Sequence, residues 1–571
     1  MVRAVKAALV VEISPEEVIL EHPANEENGD YSTNIALRIK GLASGIKDQG
    51  EAAGKIAIEL RKNGNLGEIV EKIEAAGQGF INFSLKPEVF IGEIGEIREK
   101  KETYGTGKTL AGKKIMIEYA HPNTHKEMHI GHMRTLITGE ALARILTANG
   151  AEIFRANYQG DIGPHVAKAI FGTEKILAER KLSWDQAEKL PLPQKAHLLG
   201  EGYVRGVKES EENSKEKKKI DLLNKKLYDH DKSVWPIYER TRVWSLFYYD
   251  ELYARFGTKF DRFYFESEVA GKGKKIVEEN VGKTFEKSAG AIIFPGEKYG
   301  LHTRVFVTAD GNPTYEGKEM ALAQEQFADF HFDKNIHVVA NEQKGYFQVV
   351  IKALELLNPE FTGREYHLSM GMVQLVGKKI SSRTGVLITV DGLIEDVKTL
   401  LRQNFENVSD TVLEKVAVGA IKYSVLRTGP ALNALFDLQK SVSLEGDSGP
   451  YLQYTYARAE SVLRKADFQF SINFQSIFND SILNLKTEER AVLRFLPRYP
   501  EVVEMAAKTY GPNVIATYLY ELARRFNNFY NAAPIIGSGQ AEQFRLTLTA
   551  ATAQVIKNGL ELLGVEAPER M

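Results

Sequence analysis

The most concentrated chemistry in the chain lies in the string Asn123-Thr124-His125-Lys126-Glu127-Met128-His129-Ile130-Gly131-His132-Met133-Arg134. It follows an apolar, strand-like run at 114–120 that Pro122 ends. It precedes a helical pattern with apolar residues at Met133, Leu136, Ile137, Leu142, Ile145 and Leu146. A helix that opens straight after a strand offers free backbone N–H groups and the positive end of its dipole, which suits phosphate. Two imidazoles three residues apart project from that turn, and they can donate hydrogen bonds to phosphate oxygens as charge builds up in a displacement. Gly131 lets a nucleotide approach the backbone closely. His121, His125, His129 and His132 also follow a helical spacing that would suit a metal. Pro122 and Gly131 interrupt any helix that would carry all four.

A second polar stretch, Gly377-Lys378-Lys379-Ile380-Ser381-Ser382-Arg383-Thr384-Gly385, is a basic, glycine-bounded loop between apolar runs. Lys379 and Arg383 could clamp a leaving pyrophosphate, with Ser381 and Ser382 as hydroxyl donors. Taken alone, a surface hairpin with a few cations would look much the same.

Positioning these groups calls for a βαβ unit. The strand at 114–120, the helix that Asn149-Gly150 stops and a strand at 152–157 supply one. Further strands are expected at 335–340 and around 366–376, which predicts an α/β fold with a Rossmann-like doubly wound parallel sheet. Residues 1 to about 105 read as a small α+β unit, with helical patterns at 35–42 and 54–60 and a strand at 79–85. Residues 172 to about 265 read as charged helices inserted in the sheet domain. Their basic run, 215–219, has acidic neighbours at Glu209, Glu211 and Glu212 and reads first as a solvated helix face. From about 391 onward only helices are expected, with apolar residues at helical spacing through 421–426, 451–463 and 514–529. The predicted division is 1–110, 111–390 and 391–571.

At 571 residues the chain is too long for one hydrophobic core. It is 43% hydrophobic and 26% charged, an ordinary globular balance that excludes disorder as the dominant state. No apolar run is long enough to span a membrane and no export signal is read, so a cytoplasmic protein without membrane association is expected. The absence of cysteine excludes disulfides, thiol nucleophiles and zinc–thiolate or iron–sulfur sites. Lys plus Arg number 74 against 76 Asp plus Glu, so any nucleic acid must meet local basic faces rather than a basic protein.

The His-x-Gly-His turn and the Lys-Ile-Ser-Ser-Arg loop about 250 residues later together resemble the paired signatures of class I aminoacyl-tRNA synthetases. The flanks narrow the likeness to the arginyl-tRNA synthetase family. They are Asn123-x-x-Lys126-x-x-His129-x-Gly131-His132-x-Arg134, then 155–163, Gly446 to Tyr454 with Ala457-Arg458, Gly29 to Ala36, and the end from Gly559 to Met571.

The resemblance implies a class I catalytic domain between an N-terminal additional tRNA-binding domain and an all-α anticodon-binding bundle. It implies ATP with Mg²⁺, L-arginine and tRNA(Arg) as reaction partners, no resident metal and a monomeric state. Carried over residue by residue, Lys126, His129, Gly131, His132, Lys379, Ser381 and Arg383 would bind ATP, with Lys126, His129, His132 and Lys379 catalytic. Asn123, His132, Glu152, Asn157, Tyr315, Glu319 and Gln343 would bind arginine. Phe80, Asn82 and Met571 would touch tRNA. The chain departs from the family pattern at Glu319, usually Asp; at Ile162, usually Trp; at His165, usually Gln; and at Ser382, a lysine in the general class I motif.

Overall fold

The computed structural model describes residues 1–39, 46–376, 389–404, 408–468 and 485–571. The chain divides into two compact units. One is Met1–Tyr104 with Val462–Arg498 and Arg524–Val555; the other is Gly105–Ser461 with Tyr499–Ala523 and Ile556–Met571.

In the first unit, β1 (Tyr31–Thr33), β2 (Val70–Ala76) and β3 (Phe80–Leu85) form an antiparallel sheet in the order β1-β3-β2. Helices Val2–Leu9 and Gln49–Arg61 lay Val5, Leu9, Ile56 and Leu60 on Ile73, Ile81 and Phe83. The sequence predicts only β3. In β2 just Val70 and Ile73 point inward, and a register shift between Val70 and Lys72 breaks the alternation that would reveal a strand. Asp30 is buried: it accepts the Leu85 N–H at 2.8 Å and pairs with Arg494 at 2.6 Å.

The second unit holds a five-stranded parallel sheet in the order β11-β10-β4-β5-β6. The strands are β4 (Lys114–Glu118), β5 (Glu152–Gln159), β6 (Arg262–Phe265), β10 (Lys334–Ala340) and β11 (Glu365–Met370). From β4 the chain builds outward to β5 and β6, then returns to add β10 and β11 on the other side. Right-handed crossovers in opposite directions put the helices Ile130–Ala148 and Lys344–Leu357 on opposite faces. The order reverses between β4 and β10, and there the carboxyl ends of the strands open a crevice, the expected ligand position in such a sheet.

Between β5 and β6 the insertion is helical, as the sequence predicts: Pro164–Glu179, Leu192–Glu212, Ser214–Tyr228 and Trp235–Arg255. The first two of these pack backbone to backbone. A Cβ on Gly206 would lie 2.0 Å from the Lys168 carbonyl, and one on Gly172 would lie 1.9 Å from the Gly202 carbonyl. Gly206→Ala should therefore destabilise the chain by about 1–3 kcal/mol, read as an earlier urea midpoint, because rigid backbone and not a movable side chain blocks the methyl.

Besides the edge strand β6, which falls inside the span expected to be helical, two further parts of the topology are not anticipated. One is a small antiparallel sheet, β7 (Glu286–Ser288), β8 (Ala291–Phe294) and β9 (Arg304–Val307). The other corrects the expectation of helices alone after 391: β13 (Ala434–Phe436) pairs parallel with β12 (Val373–Leu375). Three-residue strands carry too few alternations to be read as such. Among the described residues no helix is long and apolar enough to cross a membrane.

Candidate active site

Two adjoining sites are built on the carboxyl ends of β4, β5 and β10. The first is a cleft of about 400 Å³ whose lining includes Glu118, His121, Asn123, Tyr315, Glu319 and Gln343. Glu118 ends β4 and is 1% exposed. Burial pushes its carboxyl up, but His337 and then His121 outweigh this and hold it down at about 2. Glu319 lies on the helix Tyr315–Asp329 and accepts the Tyr346 hydroxyl at 2.9 Å. Burial first, and the Glu118 charge next, push its carboxyl up to about 8. The cleft thus presents one fixed carboxylate and a second held in reserve until a cation arrives. The Arg304–Glu316 pair at 2.9 Å and the buried Lys318–Glu266 pair at 2.6 Å neutralise the other charges nearby. A Cβ on Gly160 would sit 2.3 Å from Asn123 Oδ1, so a side chain there would push that amide from its place in the cleft.

The second site is the signature turn. His129 caps the helix Ile130–Ala148, and its Nδ1 accepts the Gly131 N–H at 3.1 Å. That bond leaves the proton of the neutral ring on Nε2, a hydrogen-bond donor. The His132 ring stacks on His129 with centroids 3.8 Å apart, and its Nδ1 has no partner among the described residues. Burial and then the Lys126 charge lower His129 to about 4; burial, the His129 ring and then Lys126 hold His132 well below the usual imidazole range. Both rings are neutral donors at physiological pH. Lys126 rests its ammonium 3.9 Å over the Tyr203 ring, and burial followed by Lys168 lowers it to about 8.

The path into this turn is strained: Ala120, His121 and His125 take left-handed backbone at φ 78°, 50° and 63°. Side chains of the insertion helix Trp235–Arg255 hold it there. The Tyr249 hydroxyl lies 2.5 Å from the Asn123 carbonyl and 2.8 Å from that of Lys126, sharing one proton between them. Ser245 accepts the His125 N–H at 2.9 Å, and Thr241 Oγ1 lies 2.8 Å from the His125 ring. His125 is therefore a structural tie. Among the described residues no group of three His, Asp or Glu is arranged to hold a metal.

Lys379, Ser381 and Arg383 lie outside the described residues, but both flanks of their segment meet the signature turn. Arg134 donates to the Met372 carbonyl at 2.8 Å and the Leu432 carbonyl at 2.6 Å, holding β12, just ahead of that segment, beside the strand β13 that pairs with it. On its far side the Val390 N–H donates to the Met128 carbonyl at 3.0 Å, and Thr389 bridges to His129.

Of the residues expected to bind arginine, Asn123, Tyr315, Glu319 and Gln343 line the cleft together, and His132 stands in the adjoining turn. Two expectations are corrected. Glu152 opens β5 at the amino ends of the strands, the side of the sheet away from the cleft. Its side chain is 62% exposed, 3.9 Å from Lys114. Asn157 is buried and donates to the Tyr253 hydroxyl at 2.9 Å, while its strand neighbour Tyr158 faces the cleft. The acid that sequence reasoning missed is Glu118. Its position, last in a buried parallel strand and five residues before Asn123, was the available signal, because a carboxylate in such a strand has no structural reason to be there.

Two departures from the family pattern also have physical accounts. Ile162 is 2% exposed and packs with Val166, Ile170 and Tyr238 in the core of the insertion. His165 places Nε2 3.0 Å from the Gly160 carbonyl. In the first unit, Phe80 (41% exposed) and Asn82 stand on one face of β3 and line a second cleft with His22 and Asn25. Asn82 Oδ1 accepts the Ser32 hydroxyl at 2.7 Å. Met571 is half-buried.

A parallel sheet that places a His-x-Gly-His turn at the first helix defines a class I synthetase catalytic domain, and the family model of that description, "tRNA synthetases class I (R), catalytic domain", matches residues 93–438. Residues 2–85 match the arginyl tRNA synthetase N terminal domain, and residues 452–571 the DALR anticodon binding domain. The chain belongs to the arginyl-tRNA synthetase family. An arginine–tRNA ligase of Treponema denticola is 31% identical over 98% of this chain and 96% of its own length, and one of Streptococcus uberis is 32% identical over 99% and 98%. Among solved structures, Thermus thermophilus arginyl-tRNA synthetase shares the fold with a TM-score of 0.79 at 24% identity, covering all of this chain and 98% of that one.

Proposed function

We infer that the chain is an arginine–tRNA ligase: it activates L-arginine with ATP to arginyl-adenylate and transfers the arginyl group to the 3′-terminal adenosine of tRNA(Arg), releasing AMP and diphosphate. The observation that carries the reading is the adjacency of an acidic cleft and a phosphate-binding turn at one sheet end, with both flanks of the basic loop tied to that turn. The guanidinium enters between Glu118 and Glu319 with Tyr315 and Gln343 at the rim, and Asn123 and His132 hold the α-amino and carboxylate end. His129 and His132 donate to the α-phosphate as the arginine carboxylate attacks. Lys126 and Lys379 with Ser381 and Arg383 draw off the β- and γ-phosphates, and Mg²⁺ arrives with the ATP. Phe80 and Asn82 meet an unpaired tRNA base by stacking and by amide hydrogen bonds, and Met571 belongs to the anticodon-reading face. The enzyme works as a monomer in the cytoplasm. AMP release measured with ATP, bulk tRNA and each amino acid in turn should appear with arginine alone; release with a different amino acid, or with none, refutes the reading.

Arginine binding must draw the proton from Glu319. Its carboxyl is neutral below about pH 8 in the empty cleft and pairs with a guanidinium only when ionised. The KM for arginine should rise as pH falls from about 8.5 to 6.5, and Glu319→Gln should flatten that dependence while raising KM throughout. Steady-state kinetics across that range tests both.

A further inference from the structure

Beneath the cleft lies a buried polar chain that the mechanism above does not use. His337, in the middle of β10, is 4% exposed. Its Nδ1 lies 3.1 Å from Glu118 Oε1 and its Nε2 lies 2.7 Å from Glu365 Oε2. A neutral imidazole has one N–H and could satisfy only one of two carboxylates; both contacts are donations only if the ring is an imidazolium. The second Glu118 oxygen accepts the Gln326 amide, and the carbonyl of that amide accepts Asn335 Nδ2 at 3.0 Å. Every member of the chain therefore has its orientation set by the next. His337 does not line the cleft, whereas Glu118 does.

We propose that His337 is a positioning residue for arginine recognition: as a buried imidazolium bridging Glu118 and Glu365, it keeps the Glu118 carboxylate ionised and aimed at the guanidinium. This rests on the reading of the cleft as the arginine site and adds to it the group that sets its charge. An isolated carboxyl at this depth would take up a proton and lose its hold on a cation. Two carboxylates and one imidazolium leave a single negative charge in the empty cleft, where Glu319 still holds its proton, and that charge is the one that first attracts the guanidinium. The other groups facing the ring do not supply that charge. Phe347, 5.0 Å away, comes from the helix Lys344–Leu357; His367 comes from β11, and burial lowers its pKa. His121, lowered by burial, comes from the loop after β4, and Glu319 from the helix Tyr315–Asp329. His337 accordingly stands well above the usual imidazole range, since Glu118 and Glu365 outweigh its burial.

The test is arginine kinetics of the full chain carrying His337→Gln, with Glu365→Gln as a second variant and Glu118→Gln as the reference. His337→Gln should raise the KM for arginine about tenfold or more, with a smaller change in kcat and none in the KM for ATP. It should add a new acidic limb to the pH dependence of that KM below about pH 7, as Glu118 becomes protonated. Glu365→Gln should also raise the KM for arginine, since the remaining Glu118–His337 pair carries no net charge. Both variants should discriminate less well between arginine and citrulline, its uncharged isostere. A purely structural His337 would lower the melting temperature and leave the pH profile and the citrulline ratio unmoved. That outcome, with Glu118→Gln still impaired, overturns the inference alone. If Glu118→Gln binds arginine normally, the cleft assignment falls and takes the inference with it. Should His337→Gln fail to fold, the Glu365→Gln kinetics decide in the same terms.

Discussion

His132→Ala should lower the rate of tRNA charging at saturating substrates by about 10²–10³-fold, the usual cost of removing one donor to developing negative charge, while far-UV circular dichroism and melting temperature stay close to those of the parent chain. The reason lies in how the ring is held. Its contacts are a stack on His129 and a neighbouring Lys126 charge, and its Nδ1 has no partner among the described residues, so little of the fold depends on it. The ring is neutral, and a neutral donor gains most when charge accumulates on the phosphate oxygens during displacement. The loss should therefore appear in kcat more than in the KM for ATP. A charging rate within threefold of the parent would remove His132 from the catalytic account.

Glu118→Gln should raise the KM for arginine on the order of 10²-fold, corresponding to the about 2–5 kcal/mol lost when one partner of a buried charge pair is truncated. The amide keeps the shape of the side chain and can still meet Gln326, so the strand should survive. Three consequences compound. The guanidinium loses its fixed carboxylate. His337 loses one of its two acceptors. Glu319 loses the negative neighbour that helps to raise its carboxyl, and ionises at lower pH. The residual arginine KM should thus be less sensitive to pH than that of the parent. Initial-rate kinetics at pH 7 and 8.5 checks both statements, and an unchanged KM would remove Glu118 from the site.

What was legible in the sequence follows the length scale of each signal. Strand β4 and the signature helix stand out because the strand has an apolar centre, Ile115-Met116-Ile117, and the helix is apolar along most of its length, while β5, half polar, is placed by the Asn149-Gly150 stop just before it. The insertion is legible as charged helices, though not the strand β6 at its end. The β7–β9 sheet and β13 were not legible, since strands of three or four residues show almost no period. Within the site, the turn was readable because its histidines are close in sequence. The cleft was readable only through the family likeness, because its members come from β4, β5, β10 and the helix Tyr315–Asp329. Residue-by-residue transfer then failed at Glu152 and Asn157. Both carry suitable functional groups, but one sits at the wrong end of its strand and the other on the wrong face. Chemistry of type without direction cannot tell Glu152 from Glu118; the sheet can.

The hydroxyls that reach from the helix Trp235–Arg255 to the backbone around Asn123, His125 and Lys126 bear on how far the molecule can be trimmed. The inserted helices look like an accessory that a minimal enzyme could shed, since the strands they join are adjacent in the sheet. Excision would instead release a left-handed stretch of chain from the donors and acceptors that hold it. A shortened protein would keep its sheet and lose the geometry for adenylation, so the insertion is scaffolding for the reaction centre and not a detachable appendage.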